Sequence, residues 1–291
     1  MTESKPEISF EFFPPKTAEG IAQLEAASRE LAAISPRFFS VTFGAGGSTR
    51  DRTFNTVVDI QRVSGIETAP HISCISSTHE NIQEMLAGYM EHGIRHLVAL
   101  RGDMPSGMVE AGEFRYANEL VSFIRRTTGD HFHIEVAAYP EYHPQATSPD
   151  RDLANFQRKV TAGADSAITQ YFYNADAYFS FVERCRKTGI GIPIVPGIMP
   201  ITNYHQLVRF SDACGAEIPR WIRKRLAVYG EDLESIRAFG EEVVTRLCER
   251  LLAHGAPGLH FYTLNRAAPA LAIWRNLKLE KQDAANGQAR A

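Results

Sequence analysis

The chain has 291 residues, of which 44% are hydrophobic and 22% are charged. These proportions are typical of a globular protein in water, and the length suits one large α/β domain or two smaller domains. The formal net charge of −3 gives no electrostatic reason to expect binding to nucleic acid or to an anionic membrane. The sequence contains no apolar run that could cross a bilayer and no signal peptide, so we expect a cytoplasmic protein.

Strands and helices alternate along the chain. Strands are predicted over residues 8–13, 38–44, 67–74, 96–103, 133–141, 166–173, 192–200 and 258–265. Helices are predicted over residues 17–34, 50–63, 78–92, 114–128, 148–162, 175–187, 203–213, 219–229, 233–254 and 267–277. Eight strands at about thirty residues per unit predict a (β/α)8 TIM barrel with extra helices between strands 7 and 8. A doubly wound sheet also alternates, but it usually needs fewer strands.

No shift in composition marks a domain boundary. We therefore expect a single barrel domain over residues 1–281, followed by a polar, disordered tail over residues 282–291. The four cysteines are far apart and form no CxxC pair, which favours reduced thiols over disulfides or a structural zinc site.

Polar side chains occur at the carboxyl ends of seven of the eight predicted strands, where barrel enzymes carry their chemistry. These residues are Glu11, Thr42, His71, Arg101, Asp103, Tyr139, Glu141, His143, Gln170, Asn265 and Arg266. The first predicted strand, ISFEFFPP, places Glu11 between two phenylalanines. Partial burial there would raise the pKa of the carboxyl and allow it to act as a general acid. The alternative is a charge on the solvent side of an edge strand.

The histidines are interpreted here without a bound metal. No second ligand stands at metal-binding spacing from His71, and His133 lies at the stability face of the predicted barrel, which favours a structural role. We therefore predict no metal site.

Arg101-Gly102-Asp103 is either a turn with a local ion pair or a place where the backbone approaches a flat ligand.

The fifth predicted helix carries Asp152, Asn155 and Lys159 on one face, with Arg158 beside them. Such a face is usually solvated. The start of this helix lies at the functional end of the predicted barrel, so binding of a nucleotide is an equally open interpretation.

The motifs FEFFPPK, SVTFGAGG, APHISC, HLVALRGD, AAYPEYHP, AITQYFY, PGIMPITN and FYTLNRA resemble those of bacterial methylenetetrahydrofolate reductases over about residues 8–277. The resemblance implies an FAD-containing barrel that uses NADH or NADPH to reduce 5,10-methylenetetrahydrofolate to 5-methyltetrahydrofolate, in one-carbon metabolism and methionine synthesis. It implies a ping-pong cycle and gives no basis for choosing between NADH and NADPH. It also implies that the regulatory domain of eukaryotic relatives, and with it feedback by S-adenosylmethionine, is not expected here.

The resemblance also implies site residues. Glu11 would be the general acid, and Asp103 would contact both flavin and pterin. The residues implied for FAD are Thr42, His71, Arg101, Gly102, Asp103, Tyr116, Ala117, Tyr139, His143, Ala146, Asp152, Asn155, Arg158 and Lys159. The residues implied for the folate are Asp103, Gln170, Gln206, Phe210, Tyr262 and Arg266.

Two other functions remain open at this point. One is a related flavin barrel of the proline dehydrogenase type, whose flavin is reduced by an amine substrate. The other is a non-catalytic flavin-binding subunit, against which Glu11, Asp103 and Gln170 argue, because flavin storage needs no proton donor. We expect a homo-oligomer that binds small molecules, without nucleic acid or membrane partners.

Overall fold

The computed structural model describes residues 5–43, 47–102 and 112–279, with side chains from residue 50 onward in the second range. The strands are β1 (Glu7–Phe12), β2 (Phe38–Val41), β3 (Thr68–Ser73), β4 (His96–Leu100), β5 (His133–Ala138), β6 (Ser166–Thr169), β7 (Ile194–Val195), β8 (Gly197–Ile198) and β9 (Gly258–Tyr262). The helices are α1 (Ala18–Ala32), α2 (Gly47–Ser64), α3 (His79–Glu91), α4 (Ala117–Thr128), α5 (Pro149–Thr161), α6 (Ala175–Lys187), α7 (Tyr204–Cys214), α8 (Arg220–Tyr229), α9 (Leu233–Ala253) and α10 (Ala267–Asn276).

All the strand pairs are parallel and follow the order β7-β6-β5-β4-β3-β2-β1-β9-β8. The two ends of this order, β7 and β8, are halves of one extended stretch that is interrupted at Pro196. Proline cannot donate a ladder hydrogen bond, but its carbonyl oxygen accepts one from the His260 amide at 3.0 Å. The stretch pairs with β6 through one half and with β9 through the other, so it closes the ring. The predicted (β/α)8 barrel is confirmed, with its seventh strand split in two.

Alternation along each strand separates an outer core from the barrel interior. Phe10 and Phe12 are fully buried in the large outer core that the helices cover, where Phe10 lies against Phe39 and Phe261. Burial of each such ring contributes about 1.5–3 kcal/mol. A smaller interior cluster contains Phe38, Ala69, Val98 and Ile168. Glu11 lies between Phe10 and Phe12, so its side chain points into the barrel, as the alternation predicts.

Side-chain caps fix the beginnings of several helices. The capping residues, each accepting a backbone N–H of the first turn, are Thr17, Thr78, Ser148, Asn174, Asn203 and Asp232. Helices α7, α8 and α9 are the predicted extra helices before the last strand. The strands end one to four residues earlier than predicted, so several of the polar residues lie in loops above the barrel. Within the ranges given above, no helix has the length and apolarity needed to cross a membrane.

Candidate active site

Glu11 lies at the carboxyl end of the barrel, near the end of β1. Its neighbours in register are Ser40 on β2 and Tyr262 on β9. The carbonyl oxygen of Glu11 accepts hydrogen bonds from the amide and the hydroxyl of Thr263, at 3.2 and 2.6 Å. The backbone of Glu11 is therefore fixed by the loop that follows β9, and its side chain, 16% exposed, faces the mouth of the barrel.

Two imidazoles converge on the Glu11 carboxylate. Oε2 lies 3.3 Å from Nε2 of His71, on β3, and 3.6 Å from Nε2 of His260, on β9. Both histidines are buried, and neither Nε2 atom has a hydrogen bond of good geometry. The other ring nitrogen of His260 lies 2.7 Å from the hydroxyl of Ser9, which shares the inward face of β1 with Glu11. We call Glu11, His71, His260 and Ser9 the upper cluster.

The upper cluster changes the expected pKa of Glu11. Burial raises the pKa of this carboxyl, but its interactions with His260 and His71 outweigh burial and lower the pKa to about 2. The sequence-based expectation of a raised pKa is therefore wrong for this arrangement. It rested on the flanking phenylalanines, which point away from the carboxylate, and it could not include the imidazoles, which come from two other strands.

The loop after β9 is held in a strained conformation. Leu264 and Asn265 both have positive φ, 49° and 58°, in the left-handed region that side chains disfavour. Strain of this kind costs about 1–3 kcal/mol per residue and persists only where other contacts impose it. The side chain of Asn265 imposes this strain. Its Oδ1 accepts a hydrogen bond from the Phe13 backbone N–H, and its Nδ2 donates one to the Phe13 carbonyl, both at 2.9 Å. This side chain therefore clamps the loop to the end of β1, beside Glu11.

A cavity of about 500 Å³ opens between this loop and helix α7. It brings together four residues of the predicted folate set, namely Gln206, Phe210, Tyr262 and Arg266. The hydroxyl of Tyr262 donates to the Thr169 carbonyl at 2.7 Å, which orients the ring across the mouth. Gly197 packs against this ring, and a Cβ there would lie 2.7 Å from a Tyr262 ring carbon and 2.1 Å from the Thr169 carbonyl oxygen. Any larger residue at position 197 would displace the ring.

Gln170, the fifth described member of the folate set, does not line this cavity. It follows β6 and borders a small recess together with Tyr139 and Cys214. Its Oε1 accepts from the amide of Tyr171 at 2.9 Å. Asp103 was predicted to contact both flavin and pterin, and it lies outside the described residues, as does the tail over residues 282–291.

Gly102 is required by the packing at the end of β4. Its φ is +84°, and a Cβ on this residue would lie 1.9 Å from the Ser73 hydroxyl oxygen. The preceding Arg101 turns its guanidinium toward the Gln145 side chain, to which it donates a hydrogen bond. The Arg101 carbonyl meanwhile accepts from the Ser73 hydroxyl at 3.0 Å. These contacts hold the Arg101 side chain over the rim between β4 and the loop after β5.

The loop after β5 joins several predicted flavin residues to helix α5. The rings of Tyr139 and His143 pack edge to face at 4.6 Å, and the Ala146 amide donates to the His143 carbonyl at 2.8 Å. Asp152, on the first turns of α5, accepts from the His143 amide at 3.0 Å. Asp152 therefore binds the loop after β5, and this hydrogen bond helps to hold Tyr139 and His143 at the rim.

The charged face of α5 contains two kinds of residue. Asn155 and Arg158 are exposed and bond to each other at 2.6 Å. Lys159 reaches inward, where Nζ lies 2.5 Å from the carbonyl oxygen of Ala137 on β5. Burial lowers the pKa of Lys159 to about 8, although Asp152 opposes this shift. The other side-chain nitrogen atoms of Asn155 and Arg158 are exposed at the rim, where a ligand can reach them.

The remaining predicted flavin residues lie at two other points of the rim. Thr42 follows β2, and its amide donates to the Phe12 carbonyl at 2.9 Å. Tyr116 caps α4 with an exposed ring, and Ala117 begins the helix. The predicted flavin residues in the described ranges therefore lie on β3 or follow β2, β4 and β5, around one half of the mouth, whereas the cavity beside α7 lies on the other half.

A second carboxylate cluster lies at the opposite end of the barrel and was missed by the sequence analysis. Glu135 Oε1 is 3.4 Å from Nε2 of His96 and 3.6 Å from Nε2 of His133, and the Ser166 hydroxyl lies 2.5 Å from the latter atom. We call these four residues the lower cluster. The signal was present as inward alternation of His133 and Glu135 on one strand, with a histidine at the start of the strand before it.

The fold and the rim residues together define a (β/α)8-barrel enzyme with its chemistry at the carboxyl ends of the strands. Comparison with known proteins agrees with this class. The family model described as methylenetetrahydrofolate reductase matches residues 1–278. A 5,10-methylenetetrahydrofolate reductase of Pectobacterium carotovorum is 41% identical over 271 residues, which cover 93% of this chain and 89% of the relative. The chain therefore belongs to the methylenetetrahydrofolate reductase family and is an oxidoreductase of that type.

Two further comparisons extend this result. An Arabidopsis thaliana protein named methylenetetrahydrofolate reductase (NADH) 1 is 41% identical over 286 residues, covering 94% of this chain and 48% of the relative. Among solved structures, a Clostridium thermocellum protein that binds two copies of 5-methyl-5,6,7,8-tetrahydrofolic acid matches with a TM-score of 0.65 at 15% identity. That match covers 94% of this chain and 95% of the other. At this identity it supports the fold alone.

Proposed function

We propose that this enzyme reduces 5,10-methylenetetrahydrofolate to 5-methyltetrahydrofolate in the cytoplasm, with FAD as its bound cofactor and NADH as the reductant. The observation that carries the proposal is the Glu11 carboxylate at the mouth of the barrel, in register with Tyr262 beside the 500 Å³ cavity. The Arabidopsis relative is named as an NADH enzyme, which favours NADH over NADPH. The product would supply methyl groups for methionine synthesis.

The residues around one half of the mouth suit a nucleotide cofactor. Arg101 and Arg158 offer cationic groups for phosphates, and Tyr139 with His143 offers an aromatic pair beside them. Lys159, which bonds inward to the Ala137 carbonyl, adds its charge beneath this surface. The other residues proposed to bind FAD, in the part of the chain that the structure describes, are Thr42, His71, Gly102, Tyr116, Ala117, Ala146, Asp152 and Asn155. When bound, FAD supplies the hydride that reduces the folate, after NADH has reduced the flavin in a separate half-reaction.

Glu11 is the proposed proton donor. A proton from its carboxyl to a nitrogen of the five-membered ring of the folate would open that ring to a cationic iminium, which accepts hydride at carbon. The low pKa of Glu11 in the present arrangement favours the anion. Binding of flat ligands above the carboxyl would remove its remaining water, and this desolvation raises the pKa toward the value that proton transfer needs.

The cavity beside α7 is the proposed folate site. Tyr262 and Phe210 provide ring surfaces, and Gln206, on α7, provides a side-chain amide in the lining of the same cavity. Arg266 is exposed at the start of α10 and lines the same cavity. Its guanidinium suits the carboxylates of the glutamate end of a folate.

The purified chain tests the proposal directly. We expect it to be yellow, to release FAD on denaturation, and to be bleached by NADH without oxygen. Methylenetetrahydrofolate should then restore the flavin absorbance, with one 5-methyltetrahydrofolate formed per flavin. A colourless protein that binds no added FAD would overturn the proposal. Reduction of the flavin by proline but not by NADH would instead favour the proline dehydrogenase type.

A further inference from the structure

The lower cluster has the geometry of a metal site. It is the only group of three histidine, cysteine or acidic residues in the described ranges whose ligand atoms all lie within 4.8 Å of one another. The three residues are His96, His133 and Glu135. His96 and His133 are opposite each other in register at the starts of β4 and β5, and Glu135 follows two positions along β5, on the same inward face.

The distances fit a shared ion better than direct hydrogen bonds. The carboxylate oxygen Oε1 of Glu135 lies 3.4 Å from one Nε2 atom and 3.6 Å from the other, whereas N–H···O bonds are usually about 2.9 Å long. Two ligand atoms that are each about 2.1 Å from a tetrahedral ion stand about 3.4 Å apart. The pairs therefore have the separation that an ion between them would require.

Two buried polar atoms in the cluster lack partners. Nε2 of His96 and Oε2 of Glu135 have no hydrogen bond, although His96 is 2% exposed and Glu135 is 3% exposed. Unsatisfied buried groups of this kind are rare because each loses its hydration without compensation. One cation beside the carboxylate would compensate both atoms at once, since it attracts the charge of Glu135 and accepts the lone pair of His96.

The ligand set also indicates which ion would bind. Two imidazoles and one carboxylate form a set that binds zinc with a fourth position open to water. His133 is the member that reaches solvent, with 39% of its side chain exposed, so an ion can arrive from the closed end of the barrel. The Ser166 hydroxyl, now 2.5 Å from Nε2 of His133, gives up that hydrogen bond when the ion binds.

We propose that His96, His133 and Glu135 bind a divalent transition-metal ion of the zinc class at the end of the barrel opposite the Glu11 site. The ion ties β4 to β5 and neutralises the buried carboxylate. It has a structural role and takes no part in folate reduction. The upper cluster is similar in composition but does not form such a site. Its ligand atoms do not all lie within 4.8 Å of one another.

Zinc and cobalt titrations test the proposal on the full, untagged chain after treatment with a chelator. We expect about one Zn²⁺ per chain in competition with a chromophoric chelator, and a visible Co²⁺ spectrum of tetrahedral intensity. His133→Gln and Glu135→Gln should each weaken binding at least about 100-fold, because losing even an outer partner of a ligand costs about 10–100-fold. Zn²⁺ should raise the thermal midpoint of the wild type but not that of either variant.

His131→Gln is the matched control. Its imidazole lies two residues before His133 and bonds to the Ile94 carbonyl at 3.1 Å, outside the cluster. This variant should bind Zn²⁺ as the wild type does. Wild-type protein without a stoichiometric site, or variants that bind like the wild type, would overturn the proposal. If Glu135→Gln fails to fold, His133→Gln still decides, because its side chain is partly in solvent.

Discussion

The barrel interior contains two clusters of nearly the same composition at its two ends. Each has a glutamate between two imidazoles, at 3.3 and 3.6 Å in the upper cluster and at 3.4 and 3.6 Å in the lower. In each, a serine hydroxyl bonds to one of the imidazoles. The same side chains thus occur with different surroundings, and those surroundings decide what each cluster does.

The two clusters differ in what lies next to them. The upper glutamate is 16% exposed and opens on the mouth with its cavity, where barrel enzymes place their chemistry. The side chain of the lower glutamate is 4% exposed, and Glu135 is in register with Val98 of the interior cluster, toward the end of the barrel associated with stability. The comparison shows that a carboxylate–imidazole pair is not by itself a catalytic signal, because access to a ligand must accompany it.

The largest expected difference between the clusters is in turnover. Glu11→Gln keeps the shape of the side chain and removes its proton, so reduction of methylenetetrahydrofolate should fall by about 10²–10⁴-fold. FAD content and reduction by NADH should be unchanged. Stopped-flow measurement of the two half-reactions separates these effects. Glu183→Gln, which alters an exposed carboxylate paired with Lys187, is the control. Wild-type folate reduction in Glu11→Gln would mean that another group donates the proton.

The same substitution in the lower cluster should instead reduce stability. Glu135→Gln leaves two imidazoles without their anion, and removal of one partner of a buried pair costs about 3–5 kcal/mol. We expect about 3 kcal/mol, at the lower end of this range, because glutamine keeps the shape of the side chain. Urea unfolding in the presence of a chelator measures this cost without a contribution from bound ions. A free energy of unfolding within about 0.5 kcal/mol of the wild type would show that the lower cluster contributes nothing to stability.

Acid should weaken the protein partly through Glu11. The pKa of this carboxyl is about 2 when folded, against a usual value of 4.5, so the folded state favours the anion. The resulting stability is fully present above about pH 5 and is lost as the pH falls from there toward 2. A shift of this size corresponds to no more than about 3 kcal/mol. Unfolding free energies measured between pH 7 and 3 should therefore fall less steeply for Glu11→Gln than for the wild type. Parallel curves would refute the lowered pKa.

The fold and the direction of Glu11 could be predicted from the sequence because both depend on local periodicity. Eight alternating units define the barrel, and alternation between Phe10 and Phe12 turns Glu11 inward. The break at Pro196 also has a local cause, since proline lacks a ladder donor. It was missed because a run of apolar residues around a proline still resembles one strand.

The remainder of the site depends on residues that the chain brings together from far apart. The pKa of Glu11 depends on His71 and His260, which no local pattern connects to it. Leu264 and Asn265 have left-handed backbone conformations, but no glycine in the sequence indicates them. Their cause is a contact of Asn265 with Phe13, between the loop after β9 and the end of β1. The lower cluster was missed because His133 was judged alone, without its partners on β4 and β6.

The pairing of β1 with β9 has a consequence for how the protein folds. Ser9 and His260, which meet across this pair, are 251 residues apart in the chain. Contacts between such distant residues form late, since closure of a long loop costs entropy before any contact offsets it. All four members of the lower cluster lie between residues 96 and 166, and they can assemble while the last strand is still unfolded. We therefore expect the group proposed to donate the proton to be among the last parts of each refolding molecule to reach its native surroundings.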